Sequence, residues 1–258
     1  MKVVILAGGL GTRISEESIT KPKPMVEIGS KPIIWHIMKT YSHYGLNDFI
    51  ICCGYRGYLI KEYFVNYSLH TSDLTVDLSK DNNEIIVHKK KTEPWKITLV
   101  DTGEKEGTAE RISKIQNYID DVFCLTYGDG LANVNINELI KFHRDNKRDA
   151  TVLAVQPPGR FGVMEIKNNL VSRFLEKPLG DGSWINGGFF VLNKNIFQHI
   201  KKNSVFWERE PLSNLSEQQQ LVAFKFEGFW HAMDTLRDKN YLESLWSTGK
   251  APWKVWND

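Results

Sequence analysis

Lys23 stands between two prolines in the run Lys21-Pro22-Lys23-Pro24. Each proline ring holds φ at about −65°, so the lysine is braced. A braced ammonium can neutralise charge growing on a reacting phosphoryl group. Upstream lies Leu6-Ala7-Gly8-Gly9-Leu10-Gly11-Thr12-Arg13. Gly8, Gly9 and Gly11 carry no side chain, so backbone N–H groups there can approach phosphate oxygens, and Arg13 can clamp them bidentately. A dinucleotide loop needs a further glycine where Ile14 stands. A Walker-type triphosphate loop needs Gly-Lys-Ser/Thr, which is absent.

Two aspartates could serve the same chemistry. Asp129 sits between Gly128 and Gly130 after an apolar run, and Asp234 lies in "FWHAMDT" just before a helix that begins near Leu236. A divalent cation on a triphosphate is held by one or two carboxylates, with phosphates and water completing its shell. Taken alone, Asp129 also reads as a simple turn and Asp234 as a helix cap. Glu176-Lys177-Pro178 reads, from its own residues, as an exposed ion pair at a strand end. No serine, cysteine or histidine is placed as an activated nucleophile.

These residues need a scaffold, and the sequence supplies alternating patterns. "KVVILA", "DFIICC", "VFCLTY" and "ATVLAV" are continuous apolar runs, the mark of strands buried on both faces. Between them fall helical patterns. Pro32 to Gly45 carries Ile33, Ile34, Ile37, Met38 and Tyr41 at helical spacing, and a helix over "NINELIKFHRDN" has Asn135 as its cap. "EIIVHKK" and "WKITLVDT" read as exposed strands joined by a turn at Thr92 to Pro94. Phe161 to Phe190 reads as short antiparallel strands. The expectation is a Rossmann-like, doubly wound α/β fold on a mixed, mostly parallel sheet with a mixed edge. Ligands collect at the C-terminal ends of such strands, where the glycine turn and Asp129 fall.

The chain has 258 residues, 41% hydrophobic and 25% charged, with net charge +2. That suits a single domain over 1–258 and gives no electrostatic case for binding nucleic acid. The apolar runs are too short to span a bilayer, and the N-terminal strand pattern is not that of a signal peptide. Cys52, Cys53 and Cys124 lie in apolar runs and read as buried small hydrophobes, which fits a reducing cytoplasm. Trp207, Trp230, Trp253 and Trp256 could stack on a base or serve in core or subunit contacts.

The stretch "LAGGLGTR…KPKPMVEIGSKPI" resembles the signature of the sugar-1-phosphate nucleotidylyltransferases. "DFIICCGYRGYLIKEYF", "YGDG", "PPGRFGVMEI", "FLEKPLGDGSWINGGFFVL", "WEREPL" and "GKAPWKVW" extend the likeness along nearly the whole chain. They look closest to the bacterial glucose-1-phosphate cytidylyltransferases, which make CDP-glucose for dideoxysugar synthesis. The resemblance implies a nucleotide-diphospho-sugar transferase fold with a small antiparallel sugar-binding elaboration. Residues 1–130 would mainly bind the nucleotide; residues 131–258 would mainly bind the sugar phosphate and make oligomer contacts.

The same resemblance implies CTP and glucose 1-phosphate as substrates, Mg²⁺ as cofactor and a homo-oligomer, a hexamer among the candidates, with "GKAPWKVW" as a contact tail. It implies Lys23, Arg13 and Asp129 as catalytic residues and Asp129 with Asp234 as metal ligands. Leu6, Ala7, Gly8, Gly9, Leu10, Gly11, Thr12, Thr108, Arg111 and Gly128 would bind the nucleotide. Lys177 would hold the acceptor phosphate and Glu176 its hydroxyls, with Gly162 and Gly188 letting backbone approach the sugar. Thr108-Ala109-Glu110-Arg111 stands where cytidylyltransferases usually carry Thr-Gly-Gly-Arg, which opens the question of how closely backbone meets the base. Other readings are a nucleotidylyltransferase that uses UTP or dTTP or another phosphorylated acceptor, an NAD(P)-dependent oxidoreductase and an inactive nucleotide-sensing relative.

Overall fold

The computed structural model describes residues 1–9, 20–79, 84–88, 92–159, 162–179 and 183–257. Seven strands make the main sheet: β1 (Lys2–Ala7), β2 (Asp48–Cys53), β3 (Lys96–Asp101), β4 (Val122–Tyr127), β5 (Ala150–Val155), β6 (Ile185–Asn193) and β7 (Leu221–Phe226). Their order across the sheet is β7-β5-β6-β4-β1-β2-β3. The pairs β1/β2, β1/β4, β2/β3 and β5/β7 are parallel; β6 runs antiparallel to both β4 and β5. The sheet is therefore mixed and mostly parallel, as expected. Its antiparallel strand lies inside the sheet rather than at an edge.

Successive residues of the apolar runs go to opposite layers, because strand side chains alternate. Val3, Ile5, Ala7, Phe49 and Ile51 enter one core; Val4, Leu6, Ile50 and Cys52 enter the other. Each valine, leucine, isoleucine or phenylalanine among them contributes about 2 kcal/mol on burial. Helices α1 (Ile33–His43), α2 (Gly57–Val65), α4 (Ile136–Asn146) and α6 (Leu236–Ser247) cover the first face. Helices α3 (Thr108–Lys114) and α5 (Glu210–Glu217) cover the second. The five apolar positions read on α1 are all buried. Asn135 caps α4, its Oδ1 accepting from the N–H groups of Asn137 and Glu138 at 3.0 and 3.3 Å.

One pairing differs from the expectation. Glu84–His88 does not turn into β3; it pairs with Asp73–Asp77 in a separate hairpin, while β3 joins the main sheet beside β2. The alternating polarity of β3 reflects its place at the sheet edge. The C-terminal tail packs on its own chain through two indoles: Trp253 is fully buried and Trp256 nearly so, in the core that contains α1. Trp207 is also fully buried. These three indoles are spent on packing rather than stacking. The cysteines are buried and free as expected, and burial pushes the Cys53 thiol up to about 11.

Candidate active site

The site is built where β1 and β4 end. After β1 the chain reaches Gly8, whose carbonyl accepts from Tyr55 N–H at 3.1 Å. Beneath it lies Arg111, only 3% exposed. Its guanidinium donates to Gly8 O at 2.9 Å, Thr102 Oγ1 at 2.7 Å and Gly103 O at 2.7 Å. A Cβ on Gly8 would lie 2.1 Å from an Arg111 nitrogen, which gives that glycine a packing reason. Arg111 thus braces the turn from below, and it also lines the cleft that opens there. Leu10, Gly11, Thr12 and Arg13 lie outside the described residues.

Beside β1, Gly128 N–H donates to Leu6 O at 3.0 Å, drawing the end of β4 against it. A Cβ at Gly128 would meet that same Leu6 oxygen at 2.8 Å and Pro24 Cγ at 3.0 Å. Gly130–Ala132 then pairs antiparallel with Trp230–Ala232, and Met233 N–H donates to Asp129 O at 2.9 Å. This short ladder delivers Asp234 to Asp129.

Asp234 is itself held from behind. Its N–H donates to Asp238 Oδ2 at 3.1 Å, and Asp238 caps α6 through Thr235 and pairs with His231 Nε2 at 3.0 Å. Burial works to raise the Asp238 carboxyl, but hydrogen bonds from Thr235 and His231 outweigh it and hold it below the usual range.

Lys23 comes from the other side. It opens a single 3₁₀ turn, Lys23–Met25, after Pro22 at φ −66°. Met25 N–H closes the turn on Pro22 O at 2.8 Å. The Lys23 ammonium donates to Asp129 Oδ2 at 2.5 Å and to Asp234 Oδ1 at 2.7 Å. Burial alone would lower its pKa, but the two carboxylates prevail and hold it above the ordinary lysine value. The three groups share one wall of a cleft of about 720 Å³, lined also by Gly8, Gly9 and Thr108. That volume suits a nucleotide-sized ligand. A second concavity of about 490 Å³, beside Asp120, Asp121 and Lys194, holds none of the expected site residues.

The sugar-phosphate residues are placed differently. Glu176 and Lys177 stand exposed at the end of the hairpin Val163–Lys167/Leu170–Leu175, 3.8 Å apart, and neither lines the cleft. Gly162 packs against Phe174 of that hairpin, where a Cβ would lie 2.6 Å from the ring. Gly188 is buried at φ +77°; its N–H is taken by Asn186 Oδ1, and a Cβ would strike the Tyr127 ring. Its missing side chain makes room for Tyr127, which lines the cleft.

The nucleotidyl transferase family model matches residues 2–243 of the chain. The glucose-1-phosphate cytidylyltransferases of Salmonella typhimurium and Salmonella typhi are each 57% identical to it, over 99% of this chain and the whole of theirs. The chain belongs to the nucleotidyl transferase family. The solved structure of HddC from Yersinia pseudotuberculosis superposes with a TM-score of 0.67 at 23% identity, covering 95% of this chain and 99% of that one. That likeness speaks for the fold.

For a nucleotidyl transferase the dinucleotide reading of the glycine turn falls away. The Ala109-Glu110 departure also finds its place. Ala109 is fully buried, its N–H donating to Val205 O at 3.0 Å, and Glu110 turns back to accept from Gly107 N–H at 2.7 Å. Neither lines the cleft of this nucleotidyl transferase. Several residues that do were missed by the sequence reading, among them Tyr127, Asn186 and Glu208. Tyr127 was within reach, as the last residue of the strand before Gly128. Asn186 enters from the start of β6 and Glu208 from the turn before α5, with no local signal.

Proposed function

We propose that the protein transfers a cytidylyl group from CTP to α-D-glucose 1-phosphate, giving CDP-glucose and pyrophosphate. The observation that carries this reading is the 57% likeness to glucose-1-phosphate cytidylyltransferases over the full length of both chains. The cleft agrees with it, joining Lys23 and Asp129 from the nucleotide half (1–130) to Asn186 and Asp234 from the sugar-phosphate half (131–258).

In this reading the acceptor phosphate oxygen attacks the α-phosphorus of CTP in line. The bond from α-phosphorus to the bridging oxygen of the β-phosphate breaks, and pyrophosphate leaves with that electron pair. A phosphate monoester is already a competent nucleophile, so no general base is needed. Catalysis is positioning and charge stabilisation. The glycine turn with Arg13 holds the triphosphate, Lys23 neutralises charge on the reacting phosphoryl group, and Lys177 with Glu176 holds the acceptor. Because Glu176 and Lys177 stand outside the cleft, the reading requires their hairpin to close over the acceptor.

The residues present fit a divalent cation. Asp129 and Asp234 offer hard oxygen donors that already converge on one positive centre, the Lys23 ammonium. Among the described residues no group of three or more His, Cys, Asp or Glu side chains comes together. Two carboxylates suit Mg²⁺, which keeps phosphate oxygens and water as its other ligands. When bound, Mg²⁺ supplies charge neutralisation at the phosphates.

A homo-oligomer is supported by exposed apolar side chains on two hairpins, Val76 and Ile86 on one, Ile166 and Phe174 on the other. A cytoplasmic location is supported by the three free thiols. Among the described residues no helix is long and apolar enough to cross a membrane. The test of the reading is pyrophosphate release from CTP and glucose 1-phosphate with Mg²⁺, abolished by a chelator. Absence of CDP-glucose among the products would overturn it.

A further inference from the structure

Four polar side chains on the cleft wall, Thr108, Glu208, Tyr127 and Asn186, form one hydrogen-bonded chain. Thr108 Oγ1 accepts from Trp207 N–H at 2.8 Å and donates to Glu208 Oε2 at 2.7 Å. Tyr127 Oη donates to Glu208 Oε1 at 2.5 Å and accepts from Asn186 Nδ2 at 3.1 Å. Asn186 Oδ1 accepts from Gly188 N–H at 2.8 Å. All four line the cleft.

The direction of every bond follows from Glu208. An ionised carboxylate only accepts, whereas a hydroxyl has one proton to give. Thr108 and Tyr127 must therefore both spend their protons on Glu208. Tyr127 is then left with lone pairs toward Asn186, so the amide must present its NH₂ there and its oxygen to Gly188. With the carboxylate gone, Tyr127 can turn its proton to Asn186. The amide would then flip, and its NH₂ would face Gly188 N–H, donor against donor.

Glu208 is not needed to dock its own loop. Val205 O is bonded to Ala109 N–H, Trp207 is fully buried, and Trp207 N–H is bonded to Thr108. The Glu208 side chain itself stands at the exposed rim.

We infer that Glu208 is a positioning residue that, through Tyr127 and Asn186, fixes the acceptor end of the cleft relative to the nucleotide end at Thr108. The inference rests on the cytidylyl-transfer reading. The carboxylate sets one polarity for the chain, so Asn186 and the Gly188 turn are held in a single arrangement when the sugar phosphate arrives.

The test is steady-state kinetics of pyrophosphate release with CTP and glucose 1-phosphate varied in turn, for wild type, Glu208→Gln, Glu208→Asp, Tyr127→Phe and the double variant Glu208→Gln/Tyr127→Phe. Glutamine keeps size and packing but breaks the acceptor-only rule; aspartate keeps the rule. The expected result is a rise of about tenfold in the KM for glucose 1-phosphate in Glu208→Gln, the scale of a hydrogen bond to a charged group. Glu208→Asp should stay near wild type, and the double variant should be no worse than Tyr127→Phe, because the link is already cut. Thermal melting of each variant shows that it folds, and Tyr127→Phe carries the test if Glu208→Gln does not. A Glu208→Gln enzyme with an unchanged acceptor KM, or single effects that multiply in the double variant, would overturn the inference. A wild-type protein that makes no CDP-glucose in the same assay overturns the functional reading, and the inference falls with it.

Discussion

Lys23 and Asp129 are separated by 106 positions in sequence, yet Nζ and Oδ2 lie 2.5 Å apart. The contact joins a turn stiffened by two prolines to a turn freed by two glycines, each beyond the C-terminal end of a central parallel strand. Asp234 completes the cluster from the short ladder against Gly130.

Lys23→Ala removes the only ammonium in that cluster among the described residues. Turnover should fall on the order of 100- to 1000-fold, the usual loss for one charge-stabilising group in a preorganised site. The circular dichroism spectrum should be unchanged. Turnover near that of wild type would remove Lys23 from the chemistry.

Gly128→Ala tests positioning without touching a charge. Its new methyl would lie 2.8 Å from Leu6 O, so the backbone beside Asp129 has to shift. A displacement of that kind is expected to lower turnover about 100-fold. If Gly128→Ala turns over normally, the close approach of β4 to β1 is not what places Asp129.

The double variant Ala109→Gly/Glu110→Gly restores the glycines usual at these positions in the cytidylyltransferases this chain resembles. Neither side chain lines the cleft, so nucleotide preference should not change. Stability should drop by about 2 kcal/mol, from helix propensity and the lost contact to Gly107 N–H. Assaying CTP against UTP on the variant, together with its melting temperature, decides the matter. A shift in preference would place these residues in base recognition after all.

His36 makes the fold sensitive to acid. It is fully buried against Trp246, with ring centroids 4.6 Å apart, and its Nε2 bonds Ile28 O at 2.8 Å. Burial drives its pKa down to about 4. The unfolded chain takes up this proton near pH 6.5, while the folded chain resists until about pH 4. His36 therefore contributes stability that is intact above pH 6.5 and is lost as pH falls through that window, about 3 kcal/mol in all. Melting curves from pH 7 to pH 4 should show the loss, and His36→Gln should flatten it. Equal slopes in both proteins would mean that other groups control acid unfolding.

Much of this was legible in the sequence. Continuous apolar runs gave the inner parallel strands because a strand buried on both faces has no polar positions to spare. Lys23 and Asp129 were marked by proline and glycine neighbours whose backbone effects are local. Glu208 and Asn186 carry no such mark; their roles exist only once α3, β4 and β6 are packed together. The place of β3 was misread because its polarity alternates as in a hairpin, and only the parallel pairing with β2 shows it as the sheet edge. Arg111 was expected at the nucleotide and does line the cleft, but its bracing of the glycine turn from below was not legible, because Thr102 and Gly103 reach it only in the fold.

The most direct measurement is a panel in which the purified protein meets each of CTP, UTP, dTTP, ATP and GTP with each common sugar 1-phosphate, and pyrophosphate release is followed with Mg²⁺ present. CTP with glucose 1-phosphate should give the highest kcat/KM, and CDP-glucose should be the product recovered. UTP or dTTP outcompeting CTP, or no pyrophosphate from any pair, would contradict the cytidylyl-transfer reading.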